Sequence, residues 1–285
     1  MSASSYAYYP GCALQGTARE YDVSTRQVCR RLDIELQELK EWACCGASSA
    51  HSLDRRLAVA LPARELAIAE ATGLPLVVAC AMCYSRLRFA AHELEDEAKL
   101  REISSLIERE CKNTTQVWHL LQVLDARDIP IARPLRGLRV ACYYGCLLVR
   151  PTDITHFDDE DNPQVMDGLM HRAGAETVEW AFKTECCGAG MPFARRDIVL
   201  KLSHRILAQA RGAGADCLAV ACPMCHSNLD MQQLNMKSVF KDDFQIPVLY
   251  FTQLLGLALG FSPKELHINK HFVDAMPLLR GKGLA

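Results

Sequence analysis

Two cysteine pairs, each followed by glycine, are the residues most able to do chemistry in this chain: Cys44-Cys45-Gly46 and Cys186-Cys187-Gly188. Neighbouring cysteines rarely join as a disulfide, because the small ring is strained. Each pair belongs to a larger set. The first set is Cys12, Cys44, Cys45, Cys80 and Cys83, with gaps of 31, 0, 34 and 2 residues. The second is Cys146, Cys186, Cys187, Cys222 and Cys225, with gaps of 39, 0, 34 and 2. One C-x-x-C is a modest signal, whereas two five-cysteine patterns sharing the same last long gap are a strong one.

A structural zinc site takes four ligands, and an ordinary cubane iron–sulfur cluster also takes four thiolates. Five thiols exceed both needs. Two adjacent thiols are crowded on one ion but can serve neighbouring irons, so the pattern suits a multinuclear iron–sulfur cluster. Zinc, or plain buried and redox-active thiols, are the other readings of the same residues. The glycine after each pair is expected to supply a positive φ or a close backbone approach.

The elements that must bring these residues together are duplicated. "YYPGCALQ" (8–15) corresponds to "ACYYGCLL" (141–148), "LVVACAMCYSRL" (76–87) to "LAVACPMCHSNL" (218–229), and "VWHLLQVL" (117–124) to "VLYFTQLL" (248–255). The chain is thus two copies of one unit, expected as domains 1–130 and 131–285, with the proline-rich, charged stretch 125–137 between them. Short, wholly apolar runs such as "PLVVAC" and "CLAVAC" read as buried parallel strands. Between them and the CC turns lie helical patterns: Ile198, Val199, Leu202, Ile206 and Leu207 in the second copy, and in the first a helix opened by Pro62 and closed by Gly73. The expected class is α/β, two pseudo-symmetric halves with parallel sheets, to which the family resemblance given below adds iron–sulfur clusters at their interface; one continuous sheet is the alternative. In open parallel sheets ligands sit beyond the carboxyl ends of strands. Cys12, Cys146, Cys80 and Cys222 all fall there, and each C-x-x-C opens a helix whose free amides favour thiolates.

The remaining thiols read as structural: Cys29 on a helical pattern, Cys111 near the end of a charged helix, Cys217 at a strand start, and Cys142, which only the second copy has. His226 follows the second C-x-x-C where the first copy has Tyr84. Its near-neutral ordinary pKa allows proton transfer to a leaving thiolate, a hydrogen bond to a sulfur, or a plain helix-surface role. His51 and His119 lie near the first-copy landmarks.

The chain has 285 residues, half of them hydrophobic, and a formal net charge of −2. It can bury a sizeable core, and it lacks the basic stripe of a nucleic-acid binder. The acidic run "DDED" (158–161) reads as a solvated loop. "MSASSYAYYPGC" carries no secretory signal pattern. "IPVLYFTQLLGLALGF" (246–261) is too short and too polar to span a membrane and is expected to be a buried helix. Fourteen cysteines in a chain expected to be cytoplasmic point to metal or redox chemistry rather than a disulfide scaffold.

With "YYPGCALQGTAREYD" at its start, "CPMCHSNLD" late and both CCG motifs complete, the chain resembles the B-type subunits of heterodisulfide reductase, built of two CCG cysteine-rich domains, over nearly all its length. The resemblance implies that each motif holds a noncubane four-iron cluster, with Cys12, Cys44, Cys45, Cys80 and Cys83 on one and Cys146, Cys186, Cys187, Cys222 and Cys225 on the other. It further implies cleavage or formation of a disulfide between the two clusters. Electrons would come from the ferredoxin-like C-type subunit and the flavin-bearing, iron–sulfur A-type subunit of the same complex. The Ala- and Arg-rich composition leans toward the bacterial, sulfur-oxidising kind of complex, in which lipoate-linked sulfur is the substrate expected. Two other roles compete: an electron relay in a lactate-, glycolate- or quinone-linked complex, and a zinc-stabilised assembly module.

Overall fold

The computed structural model describes residues 4–47, 50–191 and 194–285. Two separate four-stranded sheets, each wholly parallel, replace any continuous sheet. The first contains β1 (Ser4–Tyr9), β2 (Ile34–Glu38), β3 (Leu76–Val78) and β4 (Val117–His119) in the order β2-β1-β3-β4. The second contains β5 (Arg139–Tyr143), β6 (Glu176–Thr177), β7 (Cys217–Val220) and β8 (Val248–Tyr250) in the order β6-β5-β7-β8. The topologies are identical, as duplication requires. Register aligns the carboxyl ends: Tyr9, Val78 and His119 lie side by side in one sheet, Tyr143, Val220 and Tyr250 in the other. The central strands β3 and β7 are buried throughout, which accounts for their unbroken apolar sequence.

Two sequence expectations are corrected. Pro62 does not open its helix but lies inside Arg55–Glu70. The true start is set by Asp54, whose carboxylate accepts from the amides of Arg56 and Leu57 at 2.6 and 3.0 Å. The apolar stretch 246–261 is not one helix. It divides into β8 and the helix Phe251–Ala258, because Val248–Tyr250 pairs with β7 on the sheet edge. The acidic run 158–161 is a largely exposed loop, as expected.

The halves interlock reciprocally. Helix Phe251–Ala258 of the second half packs on Arg19–Arg31 of the first, and helix Leu120–Asp125 of the first packs on Val165–Arg172 of the second. Tyr21 stacks on Tyr250 with centroids 4.0 Å apart and planes 7° from parallel. The backbone itself also crosses the divide, Ala81 N–H donating to the Ala221 carbonyl at 3.1 Å.

Candidate metal centre

Each half builds its five-cysteine group from the same three segments. A strand ends in tyrosine and is followed, after one intervening residue, by a glycine and a cysteine: Tyr9–Gly11–Cys12 and Tyr143–Gly145–Cys146. The CCG turn supplies the adjacent pair. A buried strand then ends in a cysteine that caps a helix, Cys80 before Ala81–Glu93 and Cys222 before Pro223–Asp230, with Cys83 and Cys225 on the first turn. The two tyrosines tie the first segment to the second. The Tyr9 hydroxyl donates to the Ala43 carbonyl at 2.8 Å, and the Tyr143 hydroxyl to the Glu185 carbonyl at 2.6 Å, in each case the residue just before the CC pair. Sequence reading missed this pair, although their equivalent places in the repeat were a visible signal.

The thiols converge. In the first half the Cys12–Cys44 and Cys45–Cys83 sulfurs are 3.6 and 3.4 Å apart; in the second, Cys187–Cys225 are 3.6 Å apart. Cys146 interacts with Cys186, and Cys80 and Cys222 interact with Cys83 and Cys225 respectively. Cys80 and Cys222 also interact with each other, so the two groups meet across the halves. All ten predicted cysteines are therefore in one continuous array. Cys12, Cys44 and Cys186 reach the surface, while Cys80, Cys83, Cys222 and Cys225 are buried at its centre.

Mutual hydrogen bonding polarises the thiols in the same way twice. Interaction with Cys12 and Cys45, aided by the Gly46 amide 3.4 Å from its sulfur, pushes Cys44 down strongly. Cys186 falls to about 6 through Cys146 and the amides of Gly188 and Ala189, the Gly188 amide lying 3.3 Å from its sulfur. Cys12 and Cys146 rise correspondingly. Cys44 and Cys186 are thus poised as thiolates, and so is Cys222, which Cys225 and Cys80 push well below the ordinary value. Gly46 and Gly188 have φ of +73° and +87°, as the sequence suggested.

The residues fit a thiolate-bound polynuclear group. Gly11 and Gly145 form the floor of each nest at φ +72° and +70°. A Cβ on Gly11 would lie 2.9 Å from the Cys83 sulfur, and one on Gly145 3.1 Å from that of Cys225. Backbone is thus kept thin where sulfur crowds. Asn228 also donates to the Cys187 sulfur at 3.5 Å.

Behind the second CCG turn lies a polar network the sequence did not announce. The Lys183 ammonium pairs with Asp167 at 3.1 Å, both nearly fully buried, and Asp167 accepts from the Tyr144 hydroxyl at 2.7 Å. The Lys183 carbonyl accepts from the amides of Tyr144 and Gly145, so the network fixes the Cys146 segment against the CCG segment. In the first half buried Glu65 performs the tethering, accepting from the Ala43 amide at 3.1 Å and from Arg64 at 2.9 Å.

The histidines stand apart from the thiols. His226 is buried, not on a helix surface; its Nε2 lies 3.0 Å from the Val248 carbonyl and its ring stacks on Tyr250 at 4.5 Å. Among the described residues no sulfur is a hydrogen-bond partner of His226. His119 is held neutral by burial, its pKa lowered to about 4, between the Ala79 carbonyl and the Leu121 amide. His51 is exposed. Cys29, Cys111, Cys142 and Cys217 are buried outside the array, and burial raises all four thiols.

Comparison with known proteins agrees with this geometry. The family model of the CCG cysteine-rich domain matches twice, at residues 6–88 and 140–230. The chain is 32% identical over 280 residues to the 8-methylmenaquinol:fumarate reductase membrane anchor subunit of Wolinella succinogenes, covering 96% of this chain and 98% of that one. It is 32% identical over 284 residues to the B-type subunit of the ferredoxin/F(420)H(2)-dependent CoB-CoM heterodisulfide reductase of Methanosarcina acetivorans, covering 95% and 94%. A crystal structure of a hypothetical protein from Helicobacter pylori shares the fold at TM-score 0.79 and 12% identity; the match covers 96% of this chain and 53% of that one. Among the described residues no helix is long and apolar enough to cross a membrane. Two matches to the CCG domain, with relatives aligned over 96% and 95% of the chain, place it in the family of heterodisulfide reductase B-type subunits, which serve in redox complexes.

Proposed function

We propose that this chain is the catalytic iron–sulfur subunit of a heterodisulfide-reductase-like complex, with Cys12, Cys44, Cys45, Cys80 and Cys83 holding one noncubane four-iron cluster and Cys146, Cys186, Cys187, Cys222 and Cys225 the other. The observation that carries this reading is the meeting of the two five-thiol groups at Cys80 and Cys222. One S–S bond has two sulfurs, and its reduction to two thiols takes two electrons and two protons. Two redox groups on either side of one bond match that count. When bound, the clusters would supply the electrons and the sulfur-accepting irons.

The chain's own part is positioning. Tyr9 and Tyr143 lock the CCG turns, Gly11 and Gly145 leave room for sulfur, and the helix starts at Cys80 and Cys222 present amides to the negatively charged thiolates. His226, committed to the Val248 carbonyl, is not assigned a proton-transfer role. Protons would enter with solvent on the exposed side, at Cys12, Cys44 and Cys186. The ferredoxin-like C-type and flavin-bearing A-type subunits are the proposed electron partners, and a lipoate-linked disulfide or dithiol the proposed substrate in a cytoplasmic, sulfur-oxidising setting.

A second reading has its own support. The cavity lined by Ala81, Met82, Cys146, Cys187, Cys222 and Cys225 measures only about 10 Å³, too small for a disulfide substrate as the chain stands. That, with the quinol-linked name of one relative, favours a relay that passes electrons without binding sulfur substrate.

Protein purified without oxygen decides between them. About eight irons with matching sulfide per chain are expected for two four-iron clusters. Chemically reduced protein should then convert one added lipoamide disulfide per chain to two thiols. Full iron with no thiol release would replace catalysis by the relay. Zinc without sulfide would remove both in favour of an assembly module.

A further inference from the structure

Outside the cysteine array, the described residues bring together one other group of metal-binding side chains: Glu20, His226 and His271, each with a donor atom within 4.8 Å of the others. The group draws on both halves. Glu20 lies on the helix Arg19–Arg31, His226 on Pro223–Asp230, and His271 on the segment after Ile268–Lys270.

Both imidazoles are already oriented. Nε2 of His226 lies 3.0 Å from the Val248 carbonyl, and Nε2 of His271 lies 2.9 Å from Oε1 of Gln253. Each contact makes Nε2 the protonated nitrogen and leaves Nδ1 with its lone pair. Such outer hydrogen bonds to oxygen are how metal-binding histidines are held. Nδ1 of His271 is buried and has no hydrogen-bond partner. Glu20 is partly buried and, among the described residues, has no cation within ion-pair distance. The Asp230 carboxylate accepts from the amides of Phe272 and Val273 at 2.7 and 3.0 Å and so fixes the backbone beside His271. Glu20, His226 and Asp230 line a cavity of about 90 Å³, room for water at a further coordination position.

We propose that Glu20, Nδ1 of His226 and Nδ1 of His271 bind one divalent first-row transition metal ion, with zinc as the ion the donor set suits. Two imidazoles and one carboxylate, with an open position, form a three-ligand set that zinc accepts. Tetrahedral bonds of that kind put donors roughly 3.3 Å apart, so donors up to 4.8 Å apart close by up to about 1.5 Å, shared between the Glu20 side chain and the two rings. The ion joins the first half to the second beside the Tyr21–Tyr250 stack. Tyr21 in turn donates to the Ala79 carbonyl, next to Cys80. The equivalent place in the first half is closed: Tyr84 stands for His226 and donates to the Thr155 carbonyl, and His119, which stands for Tyr250, has both nitrogens used.

Cobalt(II) is the probe, added to full-length protein purified without oxygen, its iron and sulfide content measured before and after. One Co²⁺ per chain should bind with a visible spectrum free of the intense thiolate-to-cobalt charge-transfer band, and one equivalent of Zn²⁺ should displace it. Glu20→Gln and His271→Ala should each lose that equivalent with iron content unchanged. Glu20→Gln replaces a half-buried side chain by its isostere, so it keeps the test open should His271→Ala not fold. No cobalt uptake by the parent protein, uptake with the thiolate band, or undiminished uptake by both variants would overturn the proposal.

Discussion

At the residue scale, ten cysteines were legible because their spacing repeats; Tyr9 and Tyr143 shared that repeat and were overlooked, whereas single lysines and acids such as Lys183 and Glu65 carry no spacing signal. Asp230 shows what such a residue does. Burial pushes its carboxyl from 3.8 up to about 6, opposed by the Phe272 and Val273 amides it accepts from. A raised folded-state pKa means that the folded chain holds the proton more tightly than the unfolded one. The resulting stability is complete below about pH 3.8 and is lost as pH rises through 6. The shift corresponds to about 3 kcal/mol. Asp230→Asn should therefore flatten the dependence between these limits. Denaturant midpoints of parent and variant, measured in chelator from pH 4 to 7, should converge at low pH and separate above 6. Parallel curves would show that Asp230 titrates normally. His226 illustrates the converse limit: its place after Cys225 was visible, but its rotation toward Val248 depends on a strand that pairs only in the folded chain.

At the element scale, strand-end glycines and polar tethers decide whether the thiols can gather. Gly11→Ala should be worse than a general cost of positive φ, roughly 1 kcal/mol for an L-residue. Its Cβ would also meet the Cys83 sulfur at 2.9 Å, whereas a Cβ on Gly137, at nearly the same φ, meets nothing within 4 Å. Gly11→Ala is expected to fold but to lose about half the iron of the parent, the first set's share, while Gly137→Ala keeps it all. Equal iron in both would show that the nest tolerates a methyl group. Lys183→Met tests the second tether. It removes one partner of a buried pair and strands Asp167, at a cost of about 3–5 kcal/mol read from denaturant unfolding. The apolar stretch 246–261 marks where sequence reading fails at this scale. An unbroken apolar run has no period that separates a buried strand from a buried helix, so only pairing with β7 divides it at Tyr250. Pro62 misled for a related reason: proline favours a first turn, but Asp54 supplies a true cap two turns earlier.

At the scale of the whole molecule, duplication was legible as repeated landmarks, while the way the copies clasp was not, because contacts between distant segments leave no local pattern. The Ser24–Thr252 pair probes that clasp directly. Their hydroxyls are 2.7 Å apart, fully buried, on helices from opposite halves. The pair is asymmetric. Ser24 also reaches the Tyr21 carbonyl at 3.1 Å, whereas its contact with Ser24 is the one side-chain hydrogen bond of Thr252 among the described residues. Thr252→Val therefore leaves Ser24 satisfied and should cost little. Ser24→Ala orphans a buried hydroxyl and should cost about 1–3 kcal/mol. The double variant has no unpaired group left, so it should be more stable than Ser24→Ala alone. A double-mutant cycle in denaturant measures this coupling. The same experiment reports whether the halves unfold together, as the interlocked helices require: one transition, with the coupling expressed in its midpoint. Strictly additive costs would remove the Ser24–Thr252 pair from the clasp, whereas two separate transitions would mean that the clasp does not couple the halves, and the positioning of Cys80 against Cys222 would then rest on the bound clusters rather than on the fold.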